Sequence, residues 1–115
     1  MSLRTCCVNL KEGWPTSPQA LARLTTELQR ARQNGVGLLK IIHGYGSSGE
    51  GGVIREAVQA ELVRLEKDGQ IRAFIAGEDW RISNESAWAV ISKHRELKRD
   101  RDLGRGNRGI SVVVV

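Results

Sequence analysis

A chain of 115 residues, 40% of them hydrophobic, has enough for one domain with a real core and no room for a second. No apolar run of about 18 residues is present, and the opening MSLRTCCVNL lacks a secretion signal's apolar length; both exclude a membrane partner and predict a cytoplasmic protein. The formal net charge of +5 and a pI near 9.8 fit a nucleic-acid phosphate partner and a merely solvated basic surface equally well.

In chain order, Thr5 to Leu10 is a short β-prone run and the predicted first strand. Cys6 and Cys7 are adjacent, so they face opposite sides of it, and with no CxxC spacing they suggest reduced, half-buried thiols rather than zinc. Lys11 to Ser17 is a loop with Trp14 in it, expected to pack over the core edge, with base stacking as the alternative. Ser17 followed by Pro18 is a helix opening, since a hydroxyl can serve the first free N–H groups and proline suits the first helical position. Leu21, Leu24, Leu28 and Ala31 form one apolar stripe, and Asn34-Gly35 is the expected stop.

Leu38, Leu39, Ile41 and Ile42 then make a strand buried on both faces, ended by His43. Five glycines follow in nine residues, at positions 44, 46, 49, 51 and 52. Next, Val53, Ile54, Ala57, Val58, Leu62 and Leu65 recur at helical spacing, predicting a helix from near Gly52 to about Asp68. A strand, a glycine loop and a helix start together make an anion site: glycine lets backbone N–H groups approach a ligand, and the helix adds free donors and the positive end of its dipole. Gly44, Tyr45, Gly46, Ser47, Ser48, Gly49, Gly51, Gly52 and Arg55 are the candidate phosphate-binding residues.

The letters Gly44-x-Gly46-x-x-Gly49 match the dinucleotide fingerprint. Three more loop residues precede the helix, however, and the chain is too short for two mononucleotide halves. No Gly-Lys-Ser/Thr phosphate loop and no G-x-S-x-G nucleophile elbow is present.

Beyond this unit, Ile71 to Ala76 reads as a third strand, and β-α-β-α-β alternation favours a sheet with parallel pairs. Residues 77–103 are too many for a plain connection. They predict an inserted helix capped by Ser83 or Asn84, with Ala87, Trp88, Ile91 and Leu97 buried and Trp80 and Trp88 docking it on the sheet. Ile110 to Val115 is a strand that must be covered or paired. Between Lys93 and Gly109, seven basic residues face three acids, and Arg105 and Arg108, in GRGNRG, are expected to reach across to the central loop and close an electropositive cleft.

The run IIHGYGSSGEGGVIR resembles the central HGxGxxGxGxLR motif of the small MutS-related (Smr) domain. GRGNRGISVVVV resembles that domain's closing glycine turn and last strand, and the likeness runs from Val8 to Val115 apart from the insertion. It implies a two-layer α/β sandwich, β-α-β-α-β-(inserted α)-β, with a four-stranded mixed sheet like that of the carboxyl-terminal domain of translation initiation factor 3. It also implies binding of DNA or RNA and, in several members, endonuclease action. His43, Gly44, Gly46, Gly49, Gly51 and Arg55 fall on the central signature. The family's first motif, Asp-Leu-His-Gly, should lie on Val8 to Glu12, and here Asn9 and Lys11 replace its carboxylate and imidazole.

Cleavage chemistry would therefore rest on His43, with Lys11 supplying charge and Glu12 or Glu50 replacing the lost acid. A nuclease of this kind would call for Mg²⁺ or Mn²⁺, although no cluster in the sequence has metal-ligand spacing. His43 has two compatible roles open to it, contact with phosphate and ordering of the turn. Two other function classes fit the same residues: a site for a small phosphorylated ligand or nucleotide, and an interaction module built on the insertion.

Overall fold

The two most apolar β-rich runs lie side by side at the centre of one sheet. The structure, a computed structural model, describes residues 3–45 and 51–115. Its elements are β1 (Thr5–Asn9), α1 (Ser17–Gln33), β2 (Leu38–Ile42), α2 (Gly51–Lys67), β3 (Ala73–Ala76), α3 (Glu85–Ile91) and β4 (Ile110–Val114). Two 3-10 turns, Gly77–Asp79 and Arg95–Arg99, flank α3. The sheet is four-stranded and mixed, in the order β1-β2-β4-β3, with β1 parallel to β2 and β4 antiparallel to both its neighbours. This is the expected α/β arrangement, and the last strand is protected by pairing on both sides.

Alternation along β2 explains the layers. Leu39 and Ile41 face α1 and α2, where they join Leu24, Leu28, Val58, Leu62 and Val113 in one core. Leu38 and Ile42 face the other way and, with Ile75, Ile110 and Val112, meet Trp80, Ala87, Ile91 and Leu97 of the insertion. Residues 77–103 therefore cover the second face of the sheet rather than extending the first layer. Each fully buried aliphatic side chain of this kind stabilises the fold by roughly 1.5–3 kcal/mol relative to exposure.

The helices begin and end for local reasons. Thr16, one residue before the expected cap, accepts from the Gln19 N–H, and the Gln19 side chain accepts from the Thr16 N–H. That reciprocal pair serves two free donors, which Ser17 alone would not do. Asn34 ends α1, and Gly35 takes the left-handed conformation after it (φ 69°). Asn84 caps α3 by accepting from the Ala87 N–H at 3.0 Å.

Three expectations fail at the margins of the sheet. Cys6 and Cys7 are exposed, not half-buried, because β1 is an edge strand with little cover. Trp88 is 42% exposed, with the Lys98 ammonium 5.7 Å from its ring centre, so of the two tryptophans Trp80 is the one that docks the insertion. Trp14 does not pack over the core edge: it is 82% exposed.

Candidate functional site

Strand directions decide what can meet. β1, β2 and β3 run the same way and β4 runs against them, so the first three end, and β4 begins, at one edge of the sheet. Lys11 to Pro15, His43 to Tyr45, the 3-10 turn Gly77–Asp79 and the turn Arg105 to Gly109 therefore gather there. This is where ligands lie in open α/β sheets, outside the carboxyl ends of parallel strands.

His43 is the fixed point of that edge. Its ring is fully buried. Nδ1 lies 2.6 Å from the Gly44 carbonyl, which can only accept, so Nδ1 carries the proton and Nε2 accepts from the Ser111 hydroxyl at 2.9 Å. The Gln59 amide in turn donates to Ser111 Oγ at 3.4 Å, which ties α2, β4 and the loop together. The His43 and Gly44 N–H groups both donate to the Gly109 carbonyl (2.9 and 3.1 Å), and Gly44 needs its positive φ of 76° to do so. Burial pushes the His43 pKa below its ordinary value, with the Arg55 charge adding to the effect. Both nitrogens are engaged by the protein, the arrangement of a ring that orders the turn.

Arg55, in the first turns of α2, does not stand free as a fork for phosphate. Its Nη2 donates to Glu78 Oε2 at 2.6 Å, and Arg108 Nε lies 4.0 Å from the same oxygen. Among the described residues, two cations thus share one carboxylate near Tyr45, which is 55% exposed. The closing turn fits tightly: Asn107 Oδ1 accepts from the Gly109 N–H at 2.9 Å, and a Cβ on Gly109 would meet the Tyr45 ring at 3.5 Å. The closing turn meets the Gly44 end of the central loop through the Gly109 carbonyl, and Arg108 is brought to Arg55 through Glu78. Arg105 is exposed on the same turn, with no ion pair among the described residues.

Sequence reasoning did not foresee Glu78 as the partner of Arg55. Its signal was available, because a third strand parallel to the second must end at the same edge and deliver its next residues to the loop.

A groove of about 1170 Å³ runs from this edge along the outer side of β1 and β2. Thr5, Cys7, Asn9, Lys40 and Ile42 line it, the segment from Glu96 to Asp102 bounds it, and Trp14, Lys11, Glu12 and Tyr45 stand at its end. Lys40 anchors the wall, donating to Asp100 Oδ1 and Asp102 Oδ2, each at 2.7 Å, while the Trp80 indole donates to Asp100 Oδ2 at 2.9 Å. Burial disfavours the Lys40 charge, but those two carboxylates outweigh it and raise its pKa.

Lys11, Lys40, Arg99 and Arg101 are the cations lining the groove. Glu12, Glu96, Asp100 and Asp102 balance them one for one. The electropositive character expected of the cleft therefore belongs to the Arg55/Arg108 rim, not to the groove itself.

Lys11 and Glu12 are both exposed at the groove's end. They follow a turn in which the Asn9 side chain accepts from the Lys11 N–H at 3.0 Å, so Asn9, standing where the resemblance placed a carboxylate, is used to shape the loop. The candidate residues Gly46, Ser47, Ser48 and Gly49, together with Glu50, lie outside the described residues; Gly51 and Gly52 open α2 as expected. Among the described residues, no group of three His, Cys, Asp or Glu side chains is placed to hold a metal ion.

Comparisons with known proteins agree with this fold. The family model described as the Smr domain matches residues 15–81. The crystal structure of the Smr domain of Thermus thermophilus MutS2 is similar in fold, with a TM-score of 0.55 and 20% sequence identity over 97% of this chain and 96% of that one. A search of curated proteins gives no match.

Proposed function

Because the chain belongs to the Smr domain family, we propose that it binds the sugar-phosphate backbone of DNA or RNA along the rim formed by Gly44, Tyr45, Arg55, Arg105 and Arg108. The observation that carries this reading is the convergence of Arg55 and Arg108 on Glu78, beside the Gly44 turn and the start of α2. A helix start and two guanidinium groups together suit a repeated phosphate, because each supplies N–H donors to oxygen and the charges displace counterions. His43 acts by holding the Gly44 turn rather than by touching the ligand.

Binding is measured by fluorescence anisotropy of labelled DNA and RNA across added salt. The expected result is an affinity that falls steeply between about 50 and 200 mM salt, with Arg108→Ala reducing the slope by about one. An absence of binding at low salt, with a thermal shift from a mononucleotide instead, would replace this reading with a small phosphorylated ligand. Incubation with supercoiled plasmid and structured RNA, with and without Mg²⁺ or Mn²⁺, asks whether backbone binding is followed by nicking. Cleavage lost in a Lys11→Ala or Glu12→Ala variant would give those two residues a chemical part.

A further inference from the structure

We infer that the groove beside the rim takes unstacked bases, and that the preferred ligand is accordingly a single-stranded segment whose phosphates run along the rim while its bases lie against Trp14 and Tyr45. This rests on the backbone-binding reading above. Three observations carry it.

First, two exposed aromatic rings line the same groove. Trp14 is 82% exposed and Tyr45 55%, and both line the one groove, at the end where the loops after β1 and β2 leave adjacent parallel strands. A large ring left in water is costly to keep unless something covers it, and the faces of both rings suit any base irrespective of sequence.

Second, the Trp14 loop is held in shape. Gly13 and Trp14 both take positive φ (79° and 53°), the Trp14 N–H donates to the Lys11 carbonyl at 3.3 Å, and Arg23 of α1 donates to the Glu12 carbonyl at 2.5 Å. Little ordering remains to be done on binding.

Third, charge separates the two parts of the ligand. The groove's cations and carboxylates balance, so a phosphate gains nothing by entering it, whereas a flat uncharged base does. Arg55 and Arg108, which among the described residues share the Glu78 carboxylate, lie outside on the rim. A duplex cannot use this layout, since its base faces are hidden in the stack.

The test measures dissociation constants for short oligouridine, oligothymidine and a matched duplex with wild type, Trp14→Ala, Trp14→Phe and Arg108→Ala. Trp14→Ala should weaken both single strands roughly 5- to 150-fold and leave the duplex unchanged. Trp14→Phe, which keeps a ring, should retain most of the affinity while losing the quenching of indole fluorescence that the single strand causes. Trp80 is buried and cannot supply that signal, and because Trp88 is 42% exposed the fluorescence is read in proteins that also carry Trp88→Phe. Arg108→Ala should weaken all three ligands.

If single strands bind Trp14→Ala as they bind wild type, or if quenching persists in Trp14→Phe, the base-stacking inference is overturned while backbone binding stands. If wild type binds neither single strand nor duplex, both fall.

Discussion

Replacing His43 by glutamine should change how stability depends on pH. The ring is buried and neutral, with its single proton committed to the Gly44 carbonyl and its other nitrogen accepting from Ser111. Its folded pKa is lowered from the ordinary 6.5 by burial first, and then by the Arg55 charge. The unfolded chain therefore takes up a proton before the folded one does. Stability from this group is fully present above about pH 6.5 and is lost as pH falls below it. One proton of difference corresponds to about 1.4 kcal/mol per pH unit, which is the steepest slope this one group can add as pH falls below that value.

Glutamine keeps an acceptor for Ser111 but does not titrate. The His43→Gln protein should therefore start about 1–3 kcal/mol less stable at neutral pH and then lose less on acidification. Urea unfolding at intervals through this range gives the difference directly, since His94 and the carboxylates are common to both proteins. Stability curves that run parallel for the two proteins would refute the assignment of a buried, neutral, doubly bonded ring.

Three further outcomes follow from the same geometry. Glu78→Gln removes the carboxylate shared by Arg55 and Arg108 and should raise affinity for a nucleic-acid backbone several-fold, steepening the salt dependence by about one; unchanged affinity in anisotropy titrations would mean the pair does not face the ligand. Lys40→Met leaves Asp100 and Asp102 without their shared cation and should cost about 1–3 kcal/mol in urea unfolding, less than a fully buried pair because these side chains are 13–20% exposed. It should also change Trp80 fluorescence, as the indole bonds to Asp100. Gly77→Ala would put a methyl group 2.7 Å from Ile110 Cγ1 and closer still to the Asn107 carbonyl, so it should cost about 1–3 kcal/mol or more by calorimetry.

The order of elements was legible in the sequence because periodicity carries it: the β2 run, the α2 stripe and the Asn34-Gly35 stop all lie where residue spacing puts them. Sidedness was less legible. That residues 77–103 cover the second face depends on β4 inserting between β2 and β3, which no local pattern states. The same fact explains the cysteines, since the rule that parallel strands are buried on both faces fails for β1, an edge strand without a helix on its outer side.

At the site, local chemistry suggested the glycine turn and Arg55 but not the latter's partner, for Glu78 is 23 residues away and arrives only through the β3 direction. Trp14 was misplaced because a tryptophan near a core edge usually buries its ring. Nothing in its neighbours foretold a left-handed backbone that holds it in water.

The arrangement that gathers the loops at one edge has a counterpart at the other. Thr5, Leu38 and Val114 are aligned there, with the Gly37 N–H donating to the Arg4 carbonyl and the Val115 N–H to the Gly37 carbonyl. Both chain ends thus flank one glycine, roughly 13 Å of strand away from the rim. A polypeptide attached near Leu3 or Val115 would leave from the edge opposite the proposed Arg55/Arg108 rim, beside the groove end that Leu3, Thr5 and Leu38 line.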